Sequence, residues 1–151
     1  MIRPPKSRVR VVVGAATLVG VSLISACLRS TGPQPSLIQL AGTWNYTGVQ
    51  TSPLRETLTG TLKILTESGT SFQGRVDLVG VNQAGQTRPL GGLVSGVEQS
   101  TNVVDFDASV ETTPRRHVGQ IVADTISGTW IGSAPDGTVS SGTFRVERVT
   151  R

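Results

Sequence analysis

Of the residues that most often build redox, metal or covalent chemistry, the chain has almost none: one cysteine and one histidine in 151 residues. A single Cys27 permits no disulfide within the chain and no cysteine-rich metal site. His117 has no second imidazole and no nearby thiolate with which to hold a transition metal, and a lone histidine of this kind is expected at an exposed or edge-strand position. A Gly-rich phosphate loop, a nucleophile elbow and a Ser-His-Asp context are all missing, so catalysis has no strong candidate and no cofactor is implied. Aromatics are sparse too, with two Trp, one Tyr and three Phe. A basic surface is also lacking, despite a net charge of +4. Four of the 14 Lys and Arg residues, Arg3, Lys6, Arg8 and Arg10, precede the first long apolar run, and all 10 acidic residues follow it. The remaining basic and acidic residues therefore balance, and beyond the pair Arg115 and Arg116 there is no basic run for a phosphate backbone to read. Nucleic acid is not an expected partner.

What is present begins with a leader. Residues 1–10 are basic, and Val11–Ile24 form an apolar stretch relieved only by small residues such as Gly14, Ala15 and Gly20. At about 14 residues this run falls short of the roughly 20 needed for a permanent membrane-spanning helix, and it has the layout of a helical signal-peptide core. Ile24-Ser25-Ala26-Cys27 follows directly: an aliphatic residue, two small residues, then the sole cysteine. This segment resembles the lipobox of bacterial lipoproteins. The resemblance implies that residues 1–26 are removed, that the Cys27 thiol receives a diacylglyceryl group, and that the protein is held to membrane lipid in a bacterial cell envelope. One acyl chain binds reversibly, whereas two or three hold firmly, at about 0.8 kcal/mol per buried CH₂. In such lipoproteins Asp after the cysteine favours the inner membrane; Leu28 stands here, so an outer membrane, facing the periplasm, is expected if the host has two. Residues 27–39, with Gly32, Pro33 and Pro35, form the lipidated cysteine and a disordered tether. Its polar part could hold the domain some 30 Å from the lipid, at about 3.3 Å per residue.

From Leu40 to Arg151 apolar residues alternate with Thr, Ser, Gln, Arg and Asp at period two, and no window carries a helical stripe. Turn signals at Ser52-Pro53, Ser68-Gly69, Asn82 to Gly85, Gln99 to Asn102, Thr113-Pro114, Asp124-Thr125 and Asp136-Gly137 divide this domain into eight strand-length segments joined by short hairpins. Several segments share a form in which Gly lies two residues from an apolar neighbour, as in Phe72-Gln73-Gly74-Arg75-Val76 and Ile126-Ser127-Gly128-Thr129-Trp130. Period two turns that Gly inward with its neighbours, where a missing Cβ permits the coiling that barrel closure requires. The reading is all-β: an eight-stranded antiparallel up-and-down β-barrel, with a β-sandwich as the alternative.

Gly42-Thr43-Trp44 on the first strand resembles the Gly-x-Trp that opens the calycins, the barrels that include lipocalins, fatty-acid-binding proteins and avidins. In lipocalins an Arg after the last strand covers this Trp at the closed end, and the resemblance assigns that place to Arg148, making Gly42, Trp44 and Arg148 structural. Biotin binding does not carry over, because the chain has only Trp44 and Trp130 and lacks the avidin spacing of Trp and Asn.

All six aromatics, Trp44, Tyr46, Phe72, Phe106, Trp130 and Phe144, have inward parity. Either they fill the core, or they line a cavity for one small hydrophobic ligand, with Tyr46 as its polar contact. Asp105, Asp107 and Glu111 share the other side of their strand, where a solvated face is expected before a Ca²⁺ site; no metal is assigned. Three functions compete: a lipid-tethered protein that binds a small hydrophobic ligand, an interaction or inhibitor module for an envelope protein with a packed barrel, and, last, an enzyme.

Overall fold

The computed structural model describes residues 38–99, 102–111, 113–133 and 136–149. The leader, Cys27 and most of the tether lie outside the described residues. Eight strands follow one another: β1 (Gly42–Ser52), β2 (Glu56–Ser68), β3 (Ser71–Asn82), β4 (Thr87–Gln99), β5 (Val103–Val110), β6 (Thr113–Val122), β7 (Thr125–Ser133) and β8 (Val139–Arg148). Each pairs antiparallel with the next, and β8 returns to β1 through pairs such as Trp44 with Arg148 and Tyr46 with Val146, closing the barrel. The sequence expectation of an up-and-down barrel holds, and the sandwich does not. One sequence boundary moves: Thr113-Pro114, expected as a turn, opens β6, and the chain reverses before it at Glu111, which has φ +51°.

Burial alternates along the strands, as in Phe72, Gly74, Val76 and Leu78 of β3, so period two translates directly into an inside and an outside. Twenty apolar side chains, from Leu40 to Val146, form one core inside the closed sheet. The inward glycines let neighbouring strands approach. A Cβ on Gly74 would stand 2.0 Å from the Lys63 carbonyl oxygen, and one on Gly128 would stand 2.0 Å from that of Val118. Turn chemistry fixes the hairpins, as at Asn82, whose side-chain oxygen accepts from the backbone N–H groups of Ala84 and Gln86 at 3.0 Å each.

One end of the barrel is plugged by its own chain. Ile38 and Gln39, placed by sequence in the tether, lie with Leu40 against this end. Ile38 N–H donates to Glu98 Oε1 at 3.0 Å and Leu40 N–H to Glu67 Oε1. Leu40 is buried in the core and its carbonyl accepts from Trp44 Nε1 at 2.9 Å. Arg148 lies over the Trp44 ring and donates to the carbonyls of Ala41, at 3.1 Å, and Gln39. The opposite end, formed by the β1–β2, β3–β4, β5–β6 and β7–β8 connections, is the mouth.

Candidate functional site

The six aromatics are all buried, and four of them, Tyr46, Phe106, Trp130 and Phe144, gather around the one histidine, while Phe72 packs on Phe106 and Trp44 stays apart at the sealed end. His117 is 2% exposed and sits in the barrel interior, not at the exposed or edge position expected of it. The reason is parity: Arg115, His117, Gly119 and Ile121 make up the inward file of β6. Phe106 stacks on the imidazole at 4.5 Å between ring centres and 8° between planes, and Phe144 meets it edge-on at 5.0 Å. His117 Nδ1 lies 2.8 Å from the Arg115 carbonyl oxygen, which can only accept, so Nδ1 carries the proton. Nε2 is then a lone pair, and the Tyr46 hydroxyl donates to it at 3.2 Å. Burial pushes the imidazole pKa down to about 4, helped by the nearby Arg115 charge and opposed by the bond to the Arg115 carbonyl. Burial likewise raises the Tyr46 phenol above its ordinary value, against the pull of Arg115. The pair is therefore a neutral polar strut within an apolar core. Tyr46, expected as the polar contact of a ligand, has its proton committed to His117.

Toward the mouth the interior becomes polar. Arg115 is 2% exposed, and no carboxylate pairs with it among the described residues. Its guanidinium carbon stands 4.8 Å from the centre of the Trp130 ring. Its Nε and Nη1 have no hydrogen-bond partner among the described residues, and neither do Trp130 Nε1, Ser140 Oγ and Gln50 Oε1, all buried. An unmade bond at a buried group costs about 1 to 3 kcal/mol, and more for a charge. Burial lowers the Arg115 pKa, and Arg88 adds to the effect. The carboxylates nearest this charge are already engaged. Arg88 donates Nε and Nη2 to the two Glu56 oxygens at 2.7 and 2.6 Å, and Nη1 to both Glu111 oxygens at 2.9 and 2.8 Å. These bonds, with Glu56 first, raise the Arg88 pKa.

Glu111 thus leaves the strand face on which sequence parity put it and turns to Arg88. Asp105 faces outward and is bridged by Arg116 at 3.0 and 2.6 Å, and Asp107 is exposed. Among the described residues no three His, Cys, Asp or Glu side chains gather into a possible metal site.

Two spaces bear on ligand binding. Inside, between Tyr46, Leu62, Val76, Phe106, Arg115 and His117, the void is about 10 Å³, room for at most one water. At the mouth, a cleft of about 610 Å³ is lined by Gln50, Pro53, Leu54, Glu56, Arg88 and Asp136, among others. Leu54 is 75% exposed on its rim, and Gln50 Nε2 donates to the Leu54 carbonyl at 3.0 Å. Sequence reasoning missed Arg115, Gln50 and Ser140. Inward parity with Ile121, Tyr46 and Phe144 was the available signal.

Fold and site together define a closed, eight-stranded antiparallel up-and-down β-barrel, sealed at one end and opening at the other into a polar mouth. No protein-family model and no curated protein matches the chain. Among solved structures it is similar to EF1p2_mFAP2b bound to DFHBI, at 15% identity and a TM-score of 0.60, covering 73% of this chain and 94% of that one. It is also similar to a redesigned β-barrel, mFAP1, bound to DFHBI, at 17% identity and a TM-score of 0.54, covering 72% and 94%. At these identities the likeness establishes the fold.

Proposed function

We propose that the protein is a lipid-anchored binding protein of a bacterial envelope, whose barrel receives a small, largely apolar molecule through its mouth and performs no chemistry on it. The observation that carries this reading is the difference between the two ends. One is sealed by Leu40, Trp44 and Arg148, while the other opens into a cleft of about 610 Å³ with exposed Leu54 at its rim. Barrels of the same fold described as bound to DFHBI support a small-molecule occupant. The Ile24-Ser25-Ala26-Cys27 segment supports acylation at Cys27, and Leu28 favours the outer membrane, facing the periplasm, in a host with two membranes. Because the described chain begins at the sealed end, the tether would join the barrel there, leaving the mouth at the far ends of the strands.

A second reading is favoured by the interior void of about 10 Å³: a filled barrel whose mouth hairpins dock on an envelope protein. Native mass spectrometry of the mature protein, extracted from its own envelope in mild detergent, separates the two. A non-covalent adduct of a few hundred daltons, the order of a pocket-sized molecule, beyond the covalent acyl mass supports ligand binding. A bare acylated mass, together with failure to bind small apolar probes, favours the interaction module.

A further inference from the structure

We infer that the molecule held at the mouth carries an oxyanion, and that Arg115 is the residue that receives it. This deepens the small-molecule reading and rests on it. The residues that carry the unpartnered polar atoms lie side by side in the register of four adjacent strands, with Arg115 over the Trp130 ring. Arg115 of β6 is paired with Gly132 of β7, and Gly132 with Ser140 of β8. Trp130 is paired with Gly142, and Gly142 with Gln50 of β1. The two glycines make the grouping possible: a Cβ on Gly132 would stand 2.8 Å from Arg115 Cγ, and one on Gly142 would stand 2.8 Å from Trp130 Cε2.

The donors in this group suit an anionic oxygen. Arg115 offers Nε and Nη1, Trp130 offers its indole N–H and Ser140 its hydroxyl, and none has a partner among the described residues. No carboxylate among the described residues pairs with Arg115, and the four oxygens of Glu56 and Glu111 each accept from Arg88 instead. Gln50 adds one requirement of opposite sense. Its Nε2 donates to Leu54, which leaves Oε1 as the unpaired atom, so the ligand head should also bring a donor such as a hydroxyl. Gln50 belongs both to this group and to the lining of the mouth cleft, beside Pro53 and Leu54 where an apolar body would lie, with Arg115, Trp130 and Ser140 buried behind it. The chemical class is an amphiphile with a carboxylate- or sulfonate-type head bearing or adjoining a hydrogen-bond donor.

The test uses two fluorescent probes of the same apolar shape, 1-anilinonaphthalene-8-sulfonate and the uncharged N-phenyl-1-naphthylamine, titrated against the mature protein and against Arg115→Met. The expected result is binding of the anionic probe at least about tenfold tighter than the neutral one, a preference Arg115→Met abolishes while neutral-probe binding is kept. Trp130→Phe, which removes the indole N–H and keeps an aromatic ring, should reduce the preference several-fold and serves if Arg115→Met does not fold. Equal binding of the two probes to the wild type, or a preference that survives in the folded variants, would overturn the inference while leaving the small-molecule reading in place. Binding of neither probe overturns both.

Discussion

The guanidinium carbon of Arg148 stands 4.2 Å from the centre of the Trp44 ring, and its nitrogens reach the carbonyls of Ala41 and Gln39 on the segment that seals the barrel. One side chain thus joins the last strand, the first strand and the plug. Arg148→Ala should lose the cation–π contact and the charged hydrogen bonds together, about 2 to 4 kcal/mol. Arg148→Lys should recover less than half of that, because an ammonium cannot cover the ring and reach both carbonyls. Urea denaturation of the three proteins, with hydrogen exchange at the Leu40 amide, reads both effects. An alanine variant as stable as the wild type would remove Arg148 from the closure.

The buried imidazole makes stability depend on pH in a defined window. His117 titrates near 6.5 in the unfolded chain and near 4 in the folded one. Between these values the unfolded state holds the extra proton, so stability rises with pH through the window and falls as the pH drops toward 4. The wild type should therefore lose about 3 kcal/mol more than His117→Gln between pH 7 and pH 4. Glutamine can still accept from Tyr46 and donate to the Arg115 carbonyl, so the comparison isolates the titration. Asp77, Asp105 and Asp136 are held below the usual carboxylate range by Arg75, Arg116 and Thr138 respectively, and their contributions cancel in the difference. Parallel pH profiles for the two proteins would contradict a neutral buried histidine.

The barrel was legible in the sequence because most strands sort cleanly at period two, as in Phe72 to Leu78, and because inward glycines recur where closure needs close approach. The polar mouth was not legible. In β6 the inward file reads Arg115, His117, Gly119, Ile121 and the outward file Pro114, Arg116, Val118, Gln120. Neither is clearly the apolar one, so hydropathy alone assigns no side to the arginine and histidine that matter most. Only the register with Phe106 and Trp130 decides it. Parity did bring all six aromatics inside, yet it could not distinguish lining from filling, which depends on how far side chains such as His117 and Arg115 reach into the centre.

Glycine at 128 is required by contact. A Cβ there would lie 2.0 Å from the Val118 oxygen and 2.5 Å from Gly119 Cα, both backbone atoms that no rotamer change can move. Gly128→Ala should cost about 3 kcal/mol or more through strand separation. Gly85, in the β3–β4 turn with φ +76° and open space around it, should tolerate alanine at about 1 to 2 kcal/mol. Thermal melts of the two variants give the ranking, and a Gly128→Ala protein as stable as Gly85→Ala would mean that the β6–β7 approach is looser than it stands.

Anchoring turns on one thiol. If Cys27 carries two or three acyl chains, each with many methylenes at about 0.8 kcal/mol, the wild type should fractionate wholly with membranes. Its mass should correspond to residues 27–151 plus the acyl groups. Serine at 27 offers no thiol to accept a diacylglyceryl group, so Cys27→Ser should accumulate either as uncleaved precursor, with its apolar Val11–Ile24 segment intact, or as soluble protein. The barrel begins beyond this position, so the variant should keep the wild-type circular dichroism and probe binding. Fractionation of Cys27→Ser like the wild type, together with no acyl mass on the wild type, would mean that Cys27 is an incidental residue of an ordinary secretory leader and that any residence at the membrane has another cause.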